Sequence, residues 1–184
     1  MNNFEFYCPT RIVFGKGTIA KLPELIDKSK KILITYGGGS IKKNGVYEQV
    51  KNVLQGYDIL EFGGIEPNPK YETLMKAVDI VKSEGINFLL AVGGGSVLDG
   101  TKFIAAASKY YGEKDAYDYF MVEQNPVRDA LPLADVITLP ATGSEMNNGA
   151  VISRISTDEK LAFQWEPLYP QFSIIDPQVT FSLP

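Results

Sequence analysis

Residues 87–102 read NFLLAVGGGSVLDGTK, from Asn87 to Lys102, and the fold follows from how this stretch divides. Phe88 to Val92 is a short, wholly apolar run, the pattern of a strand buried on both faces. Gly93, Gly94, Gly95 and Ser96 follow at once. Val97, Leu98, Thr101, Phe103, Ile104 and Ala105 then mark a helix that runs to about Tyr110. A buried strand therefore turns into a helix through a loop with almost no side chains. Bare N–H groups and a helix start carrying about half a positive charge make an anion site, most often for phosphate.

Working outward, the same rhythm repeats. Lys31 to Tyr36 (KILITY) is a buried strand, followed by Gly37-Gly38-Gly39-Ser40 and a helix over Val46 to Leu54. Tyr57 to Phe62 is another strand. Pro69 forces Asn68 out of the helical region, and Tyr71 to Ser83 is an amphipathic helix with Leu74, Ala77, Val78 and Val81 on one face. Glu72 and Lys76 form an i,i+4 pair on its outer side. Gly112 to Leu133 is aromatic, charged and irregular, a surface excursion. Asp135 to Leu139 is a buried strand. Ala150–Arg154 and Leu161–Trp165 pair as short strands with Lys160 in the turn between them, and Phe172 to Ile175 is a last strand. Near the start, Phe4–Tyr7 and Arg11–Phe14 read as an N-terminal β-hairpin around Cys8-Pro9-Thr10. Gly15 to Ala20 fits G-x-G-x-x-A, but no acid stands roughly 20 residues on, so it reads as a hairpin exit into a helix. Strands alternating with helices from Lys31 to Leu139 predict an α/β, Rossmann-like parallel sheet with helices on both faces.

The 184 residues suit one large domain, with 45% hydrophobic and 22% charged residues. A net charge of −4 without a long basic run argues against a nucleic-acid partner. One cysteine, Cys8, permits no internal disulfide and suits the cytoplasm. The start shows no signal-peptide pattern, and no apolar run reaches the roughly 18 residues of a membrane span. Histidine is absent, which removes histidine acid/base chemistry and histidine metal ligands from this chain.

GGGS occurs twice, at 37–40 and 93–96, each time after a buried strand. One such loop is often a plain turn. Two at the carboxyl edge of one sheet suit a ligand with two anionic groups. NADP fits, with a pyrophosphate in the middle and a 2′-phosphate at the adenosine end. NAD sites usually place an acid after an early strand to bond the ribose 2′-OH. Here Gly37 to Ser40 supply none, and Lys42 and Lys43 lie just beyond, so NADP is favoured over NAD. Ser96 and Asp99 read as a helix cap with its reciprocal partner or, since a carboxylate beside phosphate is unfavourable, Asp99 as a residue nearer ribose or nicotinamide. Lys102 is placed to pair with Asp99. Thr138, Thr142, Ser144, Glu145 and Asn147 crowd one strand end and resemble a site lining.

The strings PTRIVFGKG, LITYGGGS, EFGGIEPNP, YETLM, LLAVGGGSVLDGTKFIAAA, TLPATGSE, GAVISR and IDP resemble the N-terminal domain of the iron-containing (group III) alcohol dehydrogenase family. The likeness is to its NADPH-dependent aldehyde reductase and butanol dehydrogenase type. It implies that residues 1–184 are a dinucleotide-binding domain, followed in the family by a helical metal domain that is absent here. It implies hydride transfer between NADPH and a small aldehyde or alcohol, with a divalent metal, iron or zinc, polarising the oxygen. By matching, Gly37, Gly38, Gly39 and Ser40 meet the 2′-phosphate, and Gly94, Gly95 and Ser96 the pyrophosphate. Asn68, Thr138, Leu139, Thr142, Ser144 and Lys160 match further cofactor contacts. Asp99 and Asn147 match positions near nicotinamide and substrate, and Leu183 one at the domain junction. The family's metal ligands, an Asp and three His, fall beyond this chain. The expectation is thus a cofactor half that binds no catalytic metal and is inactive alone. A homodimer through the N-terminal hairpin is also implied. The competing expectations are a stand-alone nucleotide-binding or regulatory module, or an enzyme resembling dehydroquinate synthase or glycerol-1-phosphate dehydrogenase.

Overall fold

A computed structural model of the chain describes residues 3–5 and 7–181. In chain order the elements are β1 (Arg11–Phe14), a 3-10 turn at Thr18–Lys21, α1 (Leu22–Leu25), β2 (Lys31–Tyr36), α2 (Ser40–Lys43), α3 (Val46–Val53), β3 (Asp58–Phe62) and α4 (Tyr71–Glu84). Then come β4 (Phe88–Gly94), α5 (Gly95–Ser108), a π-helical turn at Asp118–Val122, β5 (Leu133–Leu139), β6 (Gly149–Arg154), β7 (Glu159–Gln164) and β8 (Phe172–Ile175). Six strands form one parallel sheet in the order β1-β8-β5-β4-β2-β3, and β6 and β7 form a separate antiparallel pair.

The apolar strands split their side chains by the period-two alternation of a pleat. Ile32, Ile34, Phe88, Leu90 and Val92 face one core with Ile41, Val46, Val50 and Leu54 from α2, α3 and the residue after it. Leu33, Leu89 and Ala91 face the other, with Leu74, Ala77, Val78 and Val81 of α4 and Leu98, Phe103 and Ile104 of α5. Both faces are covered, which is why these strands carry no polar alternation. Gly85 ends α4 in the left-handed region at φ 66°, where its N–H reaches the Val81 carbonyl. Helix α5 is apolar almost all round because it is buried between the sheet and the β6–β7 pair, and Gly100, Thr101 and Lys102 are buried within it.

The topology fixes where a ligand would lie. From β2 the chain steps outward to β3, then returns to place β4 on the opposite side of β2 and builds on to β5 and β8, against which the earlier β1 forms the edge. The reversal falls between β2 and β4, where open α/β sheets leave a crevice at the strands' carboxyl ends. Both GGGS stretches stand there.

Four expectations change. The Arg11–Phe14 strand forms, but it pairs in parallel with β8, through Arg11↔Phe172 to Phe14↔Ile175, rather than with Phe4–Tyr7. Among the described residues of that first arm no strand is formed, and Phe6 lies outside them. The open edge beside β8 offers four consecutive partners in register, a longer ladder than a hairpin interrupted by Pro9. Gly112–Leu133 is not a surface excursion: Ala116, Tyr117, Phe120, Met121, Val127 and Leu131 are buried, and the Tyr117 hydroxyl donates to the Ile152 carbonyl at 3.2 Å. Its aromatic residues are the cover of α5 and the β6–β7 pair. Glu72 does not serve Lys76; its Oε1 accepts the Ile155 and Ser156 N–H groups at 2.9 and 3.2 Å, because backbone donors with no strand partner lie within reach. Lys160 sits within β7, opposite Ser153, rather than in a turn.

Candidate functional site

The two glycine loops differ in what their missing Cβ atoms leave room for. At Gly93 a Cβ would lie 2.6 Å from Val97 Cγ2, and at Gly95 2.5 Å from Thr142 Oγ1. Those glycines are required by the chain's own packing. At Gly38 a Cβ would meet nothing within 4 Å, and at Gly94 its nearest neighbour would be Leu139 Cβ at 3.8 Å. The space in front of Gly38 and Gly94 is open to a ligand. A cavity of about 290 Å³ runs between the loops, lined by Gly37, Gly38, Gly94, Gly95, Ser96 and Thr142 among others.

Helix α5 starts at Gly95 with no side-chain cap and no acid in its first turn. Its first N–H groups have no intrahelical acceptor, and Gly95, Ser96 and Val97 line this cavity, so the donor set fits an oxyanion such as a pyrophosphate. Ser96 and Asp99 do not form a capping pair. Asp99 instead accepts the Ser144 hydroxyl at 2.6 Å and the Val151 N–H at 3.0 Å, so its charge is drawn away from the helix start.

Beside the first loop, Gly39 takes φ 96° to start α2. Lys42 holds its ammonium 4.8 Å from the ring centres of both Tyr36 and Tyr47, and its pKa is raised, chiefly by the neighbouring Tyr36. The carboxylate of Glu61, on the neighbouring strand β3, is engaged by Tyr47 Oη and by Lys51 Nζ, each at 2.9 Å.

A second cavity, about 660 Å³, adjoins through Thr142 and is lined by Asp99, Ser144, Asn147, Gln124 and Phe163. The segment Thr142–Gly149 forms its polar wall. Gly143, at φ 73°, starts a 3-10 turn over Ser144–Met146, the Thr142 hydroxyl accepts the Ser144 N–H at 3.3 Å, and Asn147 Oδ1 accepts the Gly149 N–H at 2.9 Å. Thr138 owes its place to an irregularity: Gly93 pairs with Ile137 but Gly94 pairs with Leu139. Thr138 is thus the extra residue of a bulge, a device that re-aims side chains beside sites. Leu139, half exposed, ends the strand at the crevice lip. Asn68, at φ 56°, accepts the Lys160 ammonium at 2.7 Å, on the flank of a separate cavity of about 360 Å³. Leu183 lies outside the described residues. The structure thus brings Gly37, Gly38, Gly94, Gly95, Ser96, Leu139 and Thr142 to one crevice. Asp99, Thr142, Ser144 and Asn147 line the adjoining cavity, and Asn68 and Lys160 sit together apart from both.

Sequence reasoning underrated Lys102, which does not pair with Asp99. It is fully buried, and its Nζ donates toward Ser144 O, Ser144 Oγ, Asn147 O, Asn147 Oδ1 and Gly149 O at 2.8, 2.9, 2.8, 3.0 and 2.9 Å. Burial pulls its pKa down to about 8, against the attraction of Asp99, Asp135 and Glu145. Asp135 lies in the same interior. Burial raises its pKa to about 8, although a Ser173 hydroxyl donates to its Oδ2; its Oδ1 and the Glu145 Oε2 are buried with no partner among the described residues. A lysine in a mainly apolar helix, three residues after Asp99, was the one available signal, and a surface ion pair accounted for it equally well.

Fold and crevice define the class: a Rossmann-like α/β domain with a ligand crevice at the reversal of its strand order. The chain belongs to the iron-containing alcohol dehydrogenase family, whose family model matches residues 9–177. It is 56% identical over 184 residues to the NADPH-dependent aldehyde reductase YqhD of Escherichia coli (strain K12), covering 100% of this chain and 48% of that protein. It is 49% identical over 187 residues to the probable NADH-dependent butanol dehydrogenase 1 of Bacillus subtilis (strain 168), with coverages of 100% and 48%. The crystal structure of E. coli YqhD superposes with a TM-score of 0.96 at 56% identity, covering all of this chain and 47% of that one. That of NADH-dependent butanol dehydrogenase A from Thermotoga maritima does so with a TM-score of 0.94 at 47% identity, covering 100% and 46%. The chain spans about half the length of the curated relatives it matches. Among the described residues no three His, Cys, Asp or Glu side chains group to hold a metal ion, and no helix is long and apolar enough to cross a membrane.

Proposed function

We propose that this chain is the cofactor-binding half of a cytoplasmic, NADP(H)-dependent alcohol dehydrogenase or aldehyde reductase, passing hydride between NADPH and a small aldehyde. The observation that carries the reading is the pair of open glycine positions, Gly38 and Gly94, facing one crevice without a carboxylate on either loop. Gly94, Gly95 and Ser96, with the start of α5, hold the pyrophosphate. Gly37, Gly38, Gly39 and Ser40 hold the 2′-phosphate, with Lys42 supplying a cation held in place by two rings. Thr138, Leu139 and Thr142 line the path toward the nicotinamide, which Asp99, Ser144 and Asn147 receive, and Asn68 and Lys160 add a polar contact on the flank. In this reading the divalent ion that polarises the substrate oxygen in such enzymes is held by the helical domain that the family resemblance implies, and this half by itself turns over no aldehyde.

Titration with NADPH and NADH, read by nicotinamide fluorescence, tests the cofactor assignment. NADPH binds more tightly in this reading. Equal affinity, or tighter NADH as the names of the Bacillus relatives would suggest for those proteins, overturns it. Gly38→Asp places a carboxylate in the open space and weakens NADPH about tenfold or more through like-charge repulsion, with a much smaller effect on NADH.

A further inference from the structure

Lys102 ends in an arrangement that a plain buried ion pair does not explain. An ammonium has three hydrogens, yet five oxygens stand within 3.0 Å of Nζ. Three of them are carbonyl oxygens of one short loop, from Ser144, Asn147 and Gly149. Converging carbonyl dipoles repel one another, and the ammonium among them offsets that repulsion. The nearest carboxylate of its own helix, Asp99, is turned to the Ser144 hydroxyl and the Val151 N–H. The ammonium therefore sits where a bound cation would sit in a loop built of oxygens. It is supplied from α5, the same helix whose first turn forms the floor of the glycine crevice.

We propose that Lys102 is a positioning residue for the candidate site: its ammonium gathers the Ser144–Gly149 backbone so that Ser144 and Asn147 face the cavity beside Asp99. It touches no ligand, since it is wholly enclosed, and it acts through the loop it holds. The role at the nicotinamide end rests on the dinucleotide reading above; the holding of the loop does not. Among the described residues neither glycine loop hydrogen-bonds Nζ, so the adenosine end of the site is independent of it.

The test compares the intact chain with Lys102→Met, which keeps the length and removes the charge. Two probes are titrated, NADPH for the whole site and adenosine 2′,5′-bisphosphate for the adenosine end alone. NADPH binding falls tenfold or more, adenosine 2′,5′-bisphosphate binding stays within twofold, and amide hydrogen exchange rises at residues 144–151 while that of 31–40 is unchanged. Equal loss for both probes means general damage to the fold and overturns the positioning role. Unchanged NADPH binding with unchanged exchange overturns it as well. An intact chain that binds neither probe overturns the dinucleotide reading, and with it the service of the loop to a nucleotide, while exchange still decides whether Lys102 holds the loop. Should Lys102→Met fail to fold, the intact chain decides: the amides of Met146, Gly149 and Val151 exchange as slowly as those of α5 if the ammonium holds them, and fast exchange overturns the proposal.

Discussion

Asp135 is the residue whose burial most alters its chemistry. It stands on the central strand β5 at 1% exposure, with one oxygen served by Ser173 and the other unserved. Desolvation disfavours the charged form, so the folded protein keeps the proton up to about pH 8, whereas the unfolded chain releases it near 3.8. Between those values the folded state binds more protons than the unfolded one. Stability therefore falls as pH rises from about 4 to about 8, with a slope of up to about 1.4 kcal/mol per unit. Lys102 contributes in a different window. Its pKa is lowered in the fold, so its charge costs stability below about pH 8 and the cost is relieved as pH rises from there toward 10.5. Asp135→Asn keeps the acceptor for Ser173 and has nothing to titrate. Urea unfolding of this variant at several pH values shows a flatter profile between pH 5 and 8; an unchanged slope would assign the proton elsewhere.

At the scale of elements, the junction of β4 and α5 carries both the fold and the crevice. The strand runs through Gly94 and the helix starts at Gly95, with no connecting loop. That abrupt turn brings Val97 back over Gly93 and Thr142 over Gly95. The Thr35 and Thr101 hydroxyls, 2.6 Å apart, tie β2 to α5 across the strand-order reversal, and Thr101 is also bonded to the Val97 carbonyl. Gly93→Ala sets a methyl 2.6 Å from Val97 Cγ2 and 2.9 Å from Val97 Cβ. The stiff β-branched side chain cannot turn away without leaving its rotamer, so the first turn of α5 shifts. The expected loss is about 1–3 kcal/mol in denaturant unfolding, accompanied by weaker NADPH binding. Wild-type affinity in this variant would show that α5's first turn does not form the anion site.

Across the whole molecule, the sheet has one strongly apolar exposed edge. β1 is its terminal strand, and Phe14 is 70% exposed beside Ile12 at 37%. Hydrogen bonds from Arg11 and Gly15 to the β8 side leave the alternate N–H groups, those of Ile12 and Phe14, facing outward. Among the described residues no strand pairs with this outer side, and an edge of this kind invites another strand. We propose that a second copy of the chain covers it, giving a homodimer. Sedimentation velocity is expected to report a dimer for the native protein and a monomer for Phe14→Lys, with the same circular dichroism. A Phe14→Lys dimer would place the contact on another surface.

The alternation of apolar strands, glycine turns and an amphipathic helix is local, and the sequence carried it: KILITY, FLLAVGGGS and the Leu74–Val81 stripe led directly to β2, β4 and α4 and to a parallel sheet covered on both faces. That Gly37, Gly38, Gly94, Gly95 and Ser96 meet at one crevice was legible for the same reason, since both glycine stretches follow buried neighbouring strands of one parallel sheet. What tertiary structure alone decided depends on partners far away in the chain. β1 chose β8, more than 150 residues on, over its neighbour, because hydrogen-bond register on an open edge is invisible to periodicity. The aromatic segment from Gly112 to Leu133 became core because α5 needed a cover. Asp99 left its helix cap for the Ser144 hydroxyl and the Val151 N–H, and Lys102 left Asp99 for a ring of loop oxygens, because a carboxylate goes where donors converge and a buried ammonium where acceptors do, and both are properties of the folded chain and not of its spacing.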